Sequence, residues 1–137
     1  MCEGCQIQVL LVDDDVDLLV TAQEILNMHG TYLIDFASSA ENAMEQLSTK
    51  EYDVIVCDIQ MPVTNGFEFL KNLRANGNKI PFIVFTVTDD RQTAIKAFSY
   101  GANGFVGKYG IPKDVYSTLQ KCIDDVVKKS KDNDKKI

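Results

Sequence analysis

Apolar residues recur along this chain in two rhythms that alternate from end to end. Short, mostly apolar runs read as buried strands, and apolar residues three and four apart read as helices with one buried face. Ile7–Val12 is the first such run, and it stops at three aspartates. From Val16 to Met28, apolar residues at 18, 19, 22, 25 and 26 predict a helix, with Gly30 as its stop. Tyr32–Ala37 predicts a second strand. Ser38 and Glu41 have the S-x-x-E spacing of a capping box for a second helix, with Ala40, Ala43, Met44 and Leu47 on its apolar face.

Val54–Cys57 is a fully apolar third strand that stops at Asp58. The loop through Met61, Pro62 and Asn65-Gly66 leads into a helix carrying Phe67, Leu70 and Leu73. Pro81 introduces a fourth strand, Phe82–Phe85, ending at Thr86. Arg91–Tyr100 predicts a short helix with Ala94, Ala97 and Phe98 inward. Gly104–Val106 is a brief fifth strand followed by Lys108, and Pro112 opens a last helix with Val115, Leu119, Ile123 and Val126 on one face. Strand and helix in strict succession predict an α/β fold: one doubly wound, five-stranded parallel sheet with helices on both faces.

Composition supports one ordinary domain. The chain has 137 residues, 45% of them hydrophobic and 25% charged, with three prolines. The expected division is a disordered segment over 1–6, the domain over 7–127, and a Lys-rich stretch over 128–137 that is a frayed helix end or solvated tail. The formal net charge is −6, and five lysines fall in the last ten residues, so the body is more acidic than the total. An acidic body disfavours direct contact with nucleic acid or an anionic membrane. No apolar run approaches a membrane span, and the start lacks a signal-peptide pattern, so the expected compartment is the cytoplasm. Cys2 and Cys5 form a lone C-x-x-C with His29 as the single histidine, which is too little for a zinc site. They read as part of a frayed terminus.

In a doubly wound sheet, ligands sit beyond the carboxyl ends of the strands where strand order reverses. Those ends carry Asp13 and Asp14, Asp58, Thr86 and Lys108. If the strand order is 2-1-3-4-5, the first and third strands are neighbours and three carboxylates converge. Close carboxylates repel unless a cation joins them, and oxygen-only ligation suits Mg²⁺. Lys108 adds a point charge for an anionic group and Thr86 a hydroxyl. This is equipment for forming and stabilising an aspartyl phosphate.

Four stretches, VLLVDDD (9–15), VIVCDIQMPVTNG (54–66), FIVFT (82–86) and GANGFVGK (101–108), resemble in order and spacing the receiver domain of two-component response regulators. The resemblance runs from about Ile7 to about Val127. It implies a flavodoxin-like fold of order 2-1-3-4-5 and a phosphoacceptor role for Asp58, supplied by a phosphohistidine on a sensor histidine kinase or phosphotransfer protein. It further implies Mg²⁺ held by Asp13, Asp14 and Asp58 with the backbone carbonyl of Gln60. Lys108 would contact the phosphoryl oxygens, and Thr86 and Phe105 would form a switch. That switch would feed an output surface on the fourth helix, fifth strand and fifth helix, with dimerisation on phosphorylation as one use of it. The implied module is a phosphoacceptor, not an enzyme with turnover.

Tyr109 stands where the family usually has proline, and Val87 is bulkier than the residue usual beside the threonine. Gln60 and Thr88 flank the pocket mouth. Other readings of the same residues are an acidic turn capping the first helix, a Mg²⁺-dependent phosphohydrolase, a flavodoxin-like cofactor binder, and a receiver module of a larger regulator or hybrid kinase. The hydrolase would want a second acid at position 60, where Gln60 stands, and the cofactor binder a loop of Ser, Thr and Gly in place of the aspartates. With about 120 residues taken by one domain, gene control would run through another polypeptide or a further segment.

Overall fold

A computed structural model describes residues 6–28, 32–61, 63–88 and 90–135, with side chains of the last helix described as far as Lys131. The Cys2–Cys5 pair, His29, the Gly30 stop, Pro62 and Lys136 lie outside the described residues. Ten elements alternate without exception: β1 (Ile7–Val12), α1 (Val16–Asn27), β2 (Tyr32–Ala37), α2 (Ala40–Thr49), β3 (Val54–Cys57), α3 (Gly66–Ala75), β4 (Phe82–Thr86), α4 (Arg91–Ser99), β5 (Gly104–Gly107) and α5 (Pro112–Lys135). The strands form one parallel sheet in the order β2-β1-β3-β4-β5.

Alternation along each strand sorts its residues into two cores. Successive side chains point to opposite faces, so Val9 and Leu11 of β1 pack with Leu19, Ala22 and Leu26 of α1 and with Leu119 and Ile123 of α5. Leu10 and Val12 join Ala43 of α2, Phe69, Leu70 and Leu73 of α3, and Ala97 of α4. β1, β3 and β4 are each covered on both sides, which is why their sequences are apolar at nearly every position. Full burial of a Val, Leu, Ile or Phe side chain contributes about 1.5–3 kcal/mol.

Several local expectations change. The α2 cap is Ser39, one residue later than the sequence suggests: its hydroxyl accepts from the Asn42 N–H at 3.0 Å, while Ser38 is exposed. Glu41 instead takes the Thr64 hydroxyl, a tie between α2 and the loop after β3. Met44 is 40% exposed and Phe98 is 50% exposed, so neither lies on the inner face predicted for it. In α4 the residue that goes fully inside is Ala97. β5 gains Gly107, and α5 continues as helix to Lys135 through the segment read as tail, with Lys128, Lys129 and Lys131 exposed along it.

Beside the β2 edge, Asp35 accepts from Lys50 at 2.8 Å and from the Tyr52 hydroxyl at 2.6 Å. The Lys50 hydrogen bond, then that of Tyr52, hold the Asp35 carboxyl below its ordinary range. A lowered folded-state pKa gives stability that is present above the unfolded value and lost as pH falls through the folded one. The Asp35 side chain is 39% exposed, so the effect stays within the ~1 kcal/mol of surface pairs. Denaturant melts of wild type and Asp35→Asn should differ by that amount at neutral pH and converge on acidification below the ordinary carboxylate range.

Candidate functional site

The site is assembled by strand register. Val12 pairs with Cys57 across β1 and β3, so the next residues, Asp13 and Asp58, emerge side by side at the carboxyl edge of the sheet. Two backbone bonds extend the ladders past the strand ends: Asp58 N–H donates to Val12 C=O at 3.0 Å, and Asp13 N–H to Ala37 C=O at 3.0 Å. Both side chains are almost fully buried, at 3% and 9% exposed.

The three aspartates after β1 divide their work. Asp13 points inward, and its Oδ1 accepts from the Asp15 N–H at 2.9 Å. Asp15 caps α1 by accepting from the Leu18 N–H at 3.2 Å. Asp14 is exposed, yet one of its oxygens joins those of Asp13 and Asp58 in a set lying within 4.8 Å of one another. The capping reading of this turn is thus correct for Asp15 alone.

Lys108, just past β5, reaches across the end of β4 into this cluster. Its Nζ lies 2.6 Å from Asp13 Oδ2 and 3.2 Å from Asp58 Oδ2, and 5.3 Å from the centre of the Phe85 ring. Its backbone is fixed by donation to Thr86 C=O at 2.9 Å. Burial presses the Lys108 pKa down, but the hydrogen bond and charge of Asp13, with those of Asp58, outweigh it and the net shift is upward. Burial raises the Asp13 carboxyl, and the Lys108 contacts only partly offset that. Two buried carboxyl groups, those of Asp13 and Asp58, therefore share one ammonium, and the exposed Asp14 carboxyl lies beside them. Oxygen donors so grouped fit a hard divalent cation, which would relieve their repulsion.

The remaining predicted residues form a second layer. Thr86 is fully buried, and its Oγ1 accepts from the Thr88 N–H at 3.2 Å. Thr88 Oγ1 in turn accepts from Gln60 Nε2 at 2.8 Å, and the Gln60 N–H donates to Asp58 Oδ1 at 3.1 Å. A continuous chain of bonds thus runs from the end of β4 to the acidic cluster. Phe105 is half-buried against the α2–α3–α4 core. The Lys108–Tyr109 peptide is trans.

Two contributors are not marked as site residues by the sequence. Gly66 opens α3 pressed against the acidic loop: a Cβ there would lie 2.4 Å from Asp58 O and 2.7 Å from Ile59 Cα. Asn-Gly is legible as a turn, but not this close approach. Phe85 offers its ring face to Lys108, and in a strand it reads as plain core.

The family model "Response regulator receiver domain" matches residues 9–120. The transcriptional regulatory protein ZraR of Escherichia coli K12 is 30% identical over 117 residues, covering 85% of this chain and 26% of that protein. The response regulator SaeR of Staphylococcus aureus is 31% identical over 107 residues, covering 78% of this chain and 46% of that protein. The chain thus spans about a quarter to a half of the length of these relatives. Among solved structures, the Vibrio cholerae chemotaxis response regulator CheY4 superposes with a TM-score of 0.75 at 27% identity, covering 85% of this chain and 98% of that one. The Francisella response regulator 1452 receiver domain reaches 0.82 at 24% identity over 91% and 99% of the two chains, a likeness of fold. The acidic cluster at the β1–β3 switch point, the lysine that enters it and the match over residues 9–120 lead to one conclusion: this chain belongs to the response regulator receiver domain family of two-component signalling.

Proposed function

We propose that the chain is a Mg²⁺-dependent phosphoacceptor in which Asp58 takes a phosphoryl group from a phosphohistidine on a sensor histidine kinase or phosphotransfer protein. The observation that carries this reading is Lys108 Nζ held 2.6 and 3.2 Å from two buried carboxylates of a three-aspartate set. An Asp58 carboxylate oxygen attacks phosphorus, the P–N bond of the donor breaks, and its electron pair stays on the imidazole nitrogen, which takes up a proton. The new P–O bond leaves an aspartyl phosphate. Lys108 is placed to neutralise charge on the phosphoryl oxygens, and the buried Thr86 hydroxyl to donate to one of them after leaving Thr88. Asp13, Asp14, Asp58 and the Gln60 carbonyl would hold the cation, whose positive charge lets an anionic donor approach three carboxylates.

In this reading the protein is not an enzyme with turnover, and loss of the phosphoryl group to water is slow and intrinsic. The bond chain Asp58–Gln60–Thr88–Thr86 gives the added charge a route to β4 and onward to Phe105 and a face made by α4, β5 and α5. Because the chain spans only part of its relatives, we take it as the input module of a larger regulator or a partner of a separate output protein, acting in the cytoplasm. No helix among the described residues is long and apolar enough to cross a membrane.

Incubation with acetyl phosphate and Mg²⁺ should add one phosphoryl group, read by intact-mass spectrometry. No mass gain, with a competent kinase also present, would overturn the reading. Cation binding should also register as stability. At ten times its Kd, Mg²⁺ adds about 1.4 kcal/mol through linkage with the folded state. Asp14→Asn removes one of three mutually repelling carboxylates, so metal-free stability should rise while the Mg²⁺ response falls. Equal melting of wild type with and without millimolar Mg²⁺ would count against cation binding.

A further inference from the structure

α5 is longer than the sheet it covers. Its 24 residues span about 36 Å as helix, whereas no strand exceeds six residues, about 20 Å of extended chain. The helix runs back from the end of β5, so its surplus projects past the starting ends of the strands, opposite the acidic cluster. Val126 and Val127 are the last residues it gives to the core. β3 and β4 start together beneath that point, with Ile55 paired to Phe82, and Pro81 enters β4 without an N–H to offer. Between the overhanging turn of α5 and these strand starts lies a cavity of about 360 Å³.

The cavity has an apolar wall and a charged one. Tyr52, Pro81 and Val127 line the first, while Lys79, Lys131 and Ser130 supply cations and a hydroxyl. Asp53 lines it too, but its carboxylate is partly committed, with Oδ2 accepting from the Gln8 N–H at 2.8 Å. Among the described residues, neither Lys79 nor Lys131 has an ion-pair partner. Lys79 comes from the approach to β4 and Lys131 from α5, so their ammonium groups belong to different walls. Two cations against one carboxylate leave the lining net positive on a chain whose total charge is −6.

We propose that this cavity binds a small organic anion: a phosphate or carboxylate group on an apolar or aromatic body. The lysines act as point charges for the oxyanion and Ser130 as a donor, while the body lies against Tyr52 and Pro81. The volume stands at the low end of small-molecule sites, about 300–1,000 Å³, and suits a ligand the size of an aromatic monophosphate. Metal ions and organic cations are disfavoured by the two unpaired ammonium groups. The site is distinct from the acidic cluster, since the five residues of extended chain from Asp53 to Asp58 separate them by about 16 Å.

The test is a titration of the ¹⁵N-labelled full chain at constant ionic strength, without Mg²⁺, so that no cation holds an anion at the acidic cluster. Phenyl phosphate and benzoate are the probes, and phenol is the uncharged control. At least one anion should shift the amide signals of Asp53, Lys79, Ser130 and Lys131 saturably, with a millimolar Kd or tighter, and the tighter of the two identifies the head group. K79A/K131A should weaken that binding about tenfold or more. Both side chains are exposed, so the variant should melt like wild type and still take up a phosphoryl group from acetyl phosphate and Mg²⁺. Four results would each overturn the proposal: no saturation by either anion below about 10 mM, phenol binding as tightly as the anions, binding unchanged in K79A/K131A, or shifts confined to residues 13–15 and 58.

Discussion

Asp58→Asn is expected to yield a folded chain that gains no phosphoryl mass from acetyl phosphate and Mg²⁺ over times in which the wild type reacts to completion. Asparagine keeps the shape of the side chain but offers an amide in place of a nucleophilic carboxylate, and no neighbour in the cleft is placed to convert it. The fold should tolerate the change. Lys108 keeps its 2.6 Å contact with Asp13, so no buried charge is stranded, and one of three crowded carboxylates is gone. Stability is therefore expected to stay within about 1 kcal/mol of wild type or to rise. The pairing of retained stability with lost uptake separates a chemical role from a structural one. Residual uptake at a rate near wild type would transfer the acceptor role to Asp13 or Asp14 and overturn the assignment.

Gly66→Ala should impair both stability and phosphoryl uptake, although it lies on no list of chemical groups. The added Cβ would meet Asp58 O at 2.4 Å, Ile59 Cα at 2.7 Å and Asp58 C at 3.0 Å, all of them backbone. Backbone cannot rotate away as a side-chain tip can, so either α3 or the acceptor loop must move. Overpacking of this kind costs about 1–3 kcal/mol. The displaced atoms belong to Asp58 itself, so its carboxylate shifts relative to Lys108, and uptake from acetyl phosphate should slow about tenfold or more. Asn65→Ala is the control. It removes the α3 cap, a 3.0 Å bond to the Glu68 N–H, at about 1 kcal/mol without crowding Asp58. If the two variants slow uptake equally, helix stability rather than the close approach governs the site.

The reach of the sequence differs between regular and irregular parts of the molecule. Strand bounds are legible to a residue for β1, β2 and β3, because each mostly apolar stretch is closed by polar residues. The helix faces were less so. Met44 and Phe98 fit the apolar spacing of α2 and α4 but point outward, since spacing identifies a stripe without saying how wide a neighbour covers it. The cap of α2 moved from Ser38 to Ser39 because adjacent serines offer the same chemistry and only the backbone path selects between them. The frayed helix end or solvated tail read after Val127 is helix as far as Lys135. Loss of the apolar stripe after Val127 removes packing, but the backbone bonds of a charged helix continue into solvent to Lys135.

By itself the sequence determined the alternating α/β architecture, the four strand ends that carry chemistry, and the presence of three candidate carboxylates with one lysine. These follow from local rules: the period of apolar residues and the polar residue that ends each run. Tertiary structure decided which of the three consecutive aspartates enters the cleft, caps the helix or faces solvent. It also set the distances that make Lys108 a partner of Asp13 and Asp58 from 95 and 50 positions away. Gly66 acquired its role there, as did the ring of Phe85. All of these depend on strand order and on close approach between distant segments, quantities that no local pattern encodes.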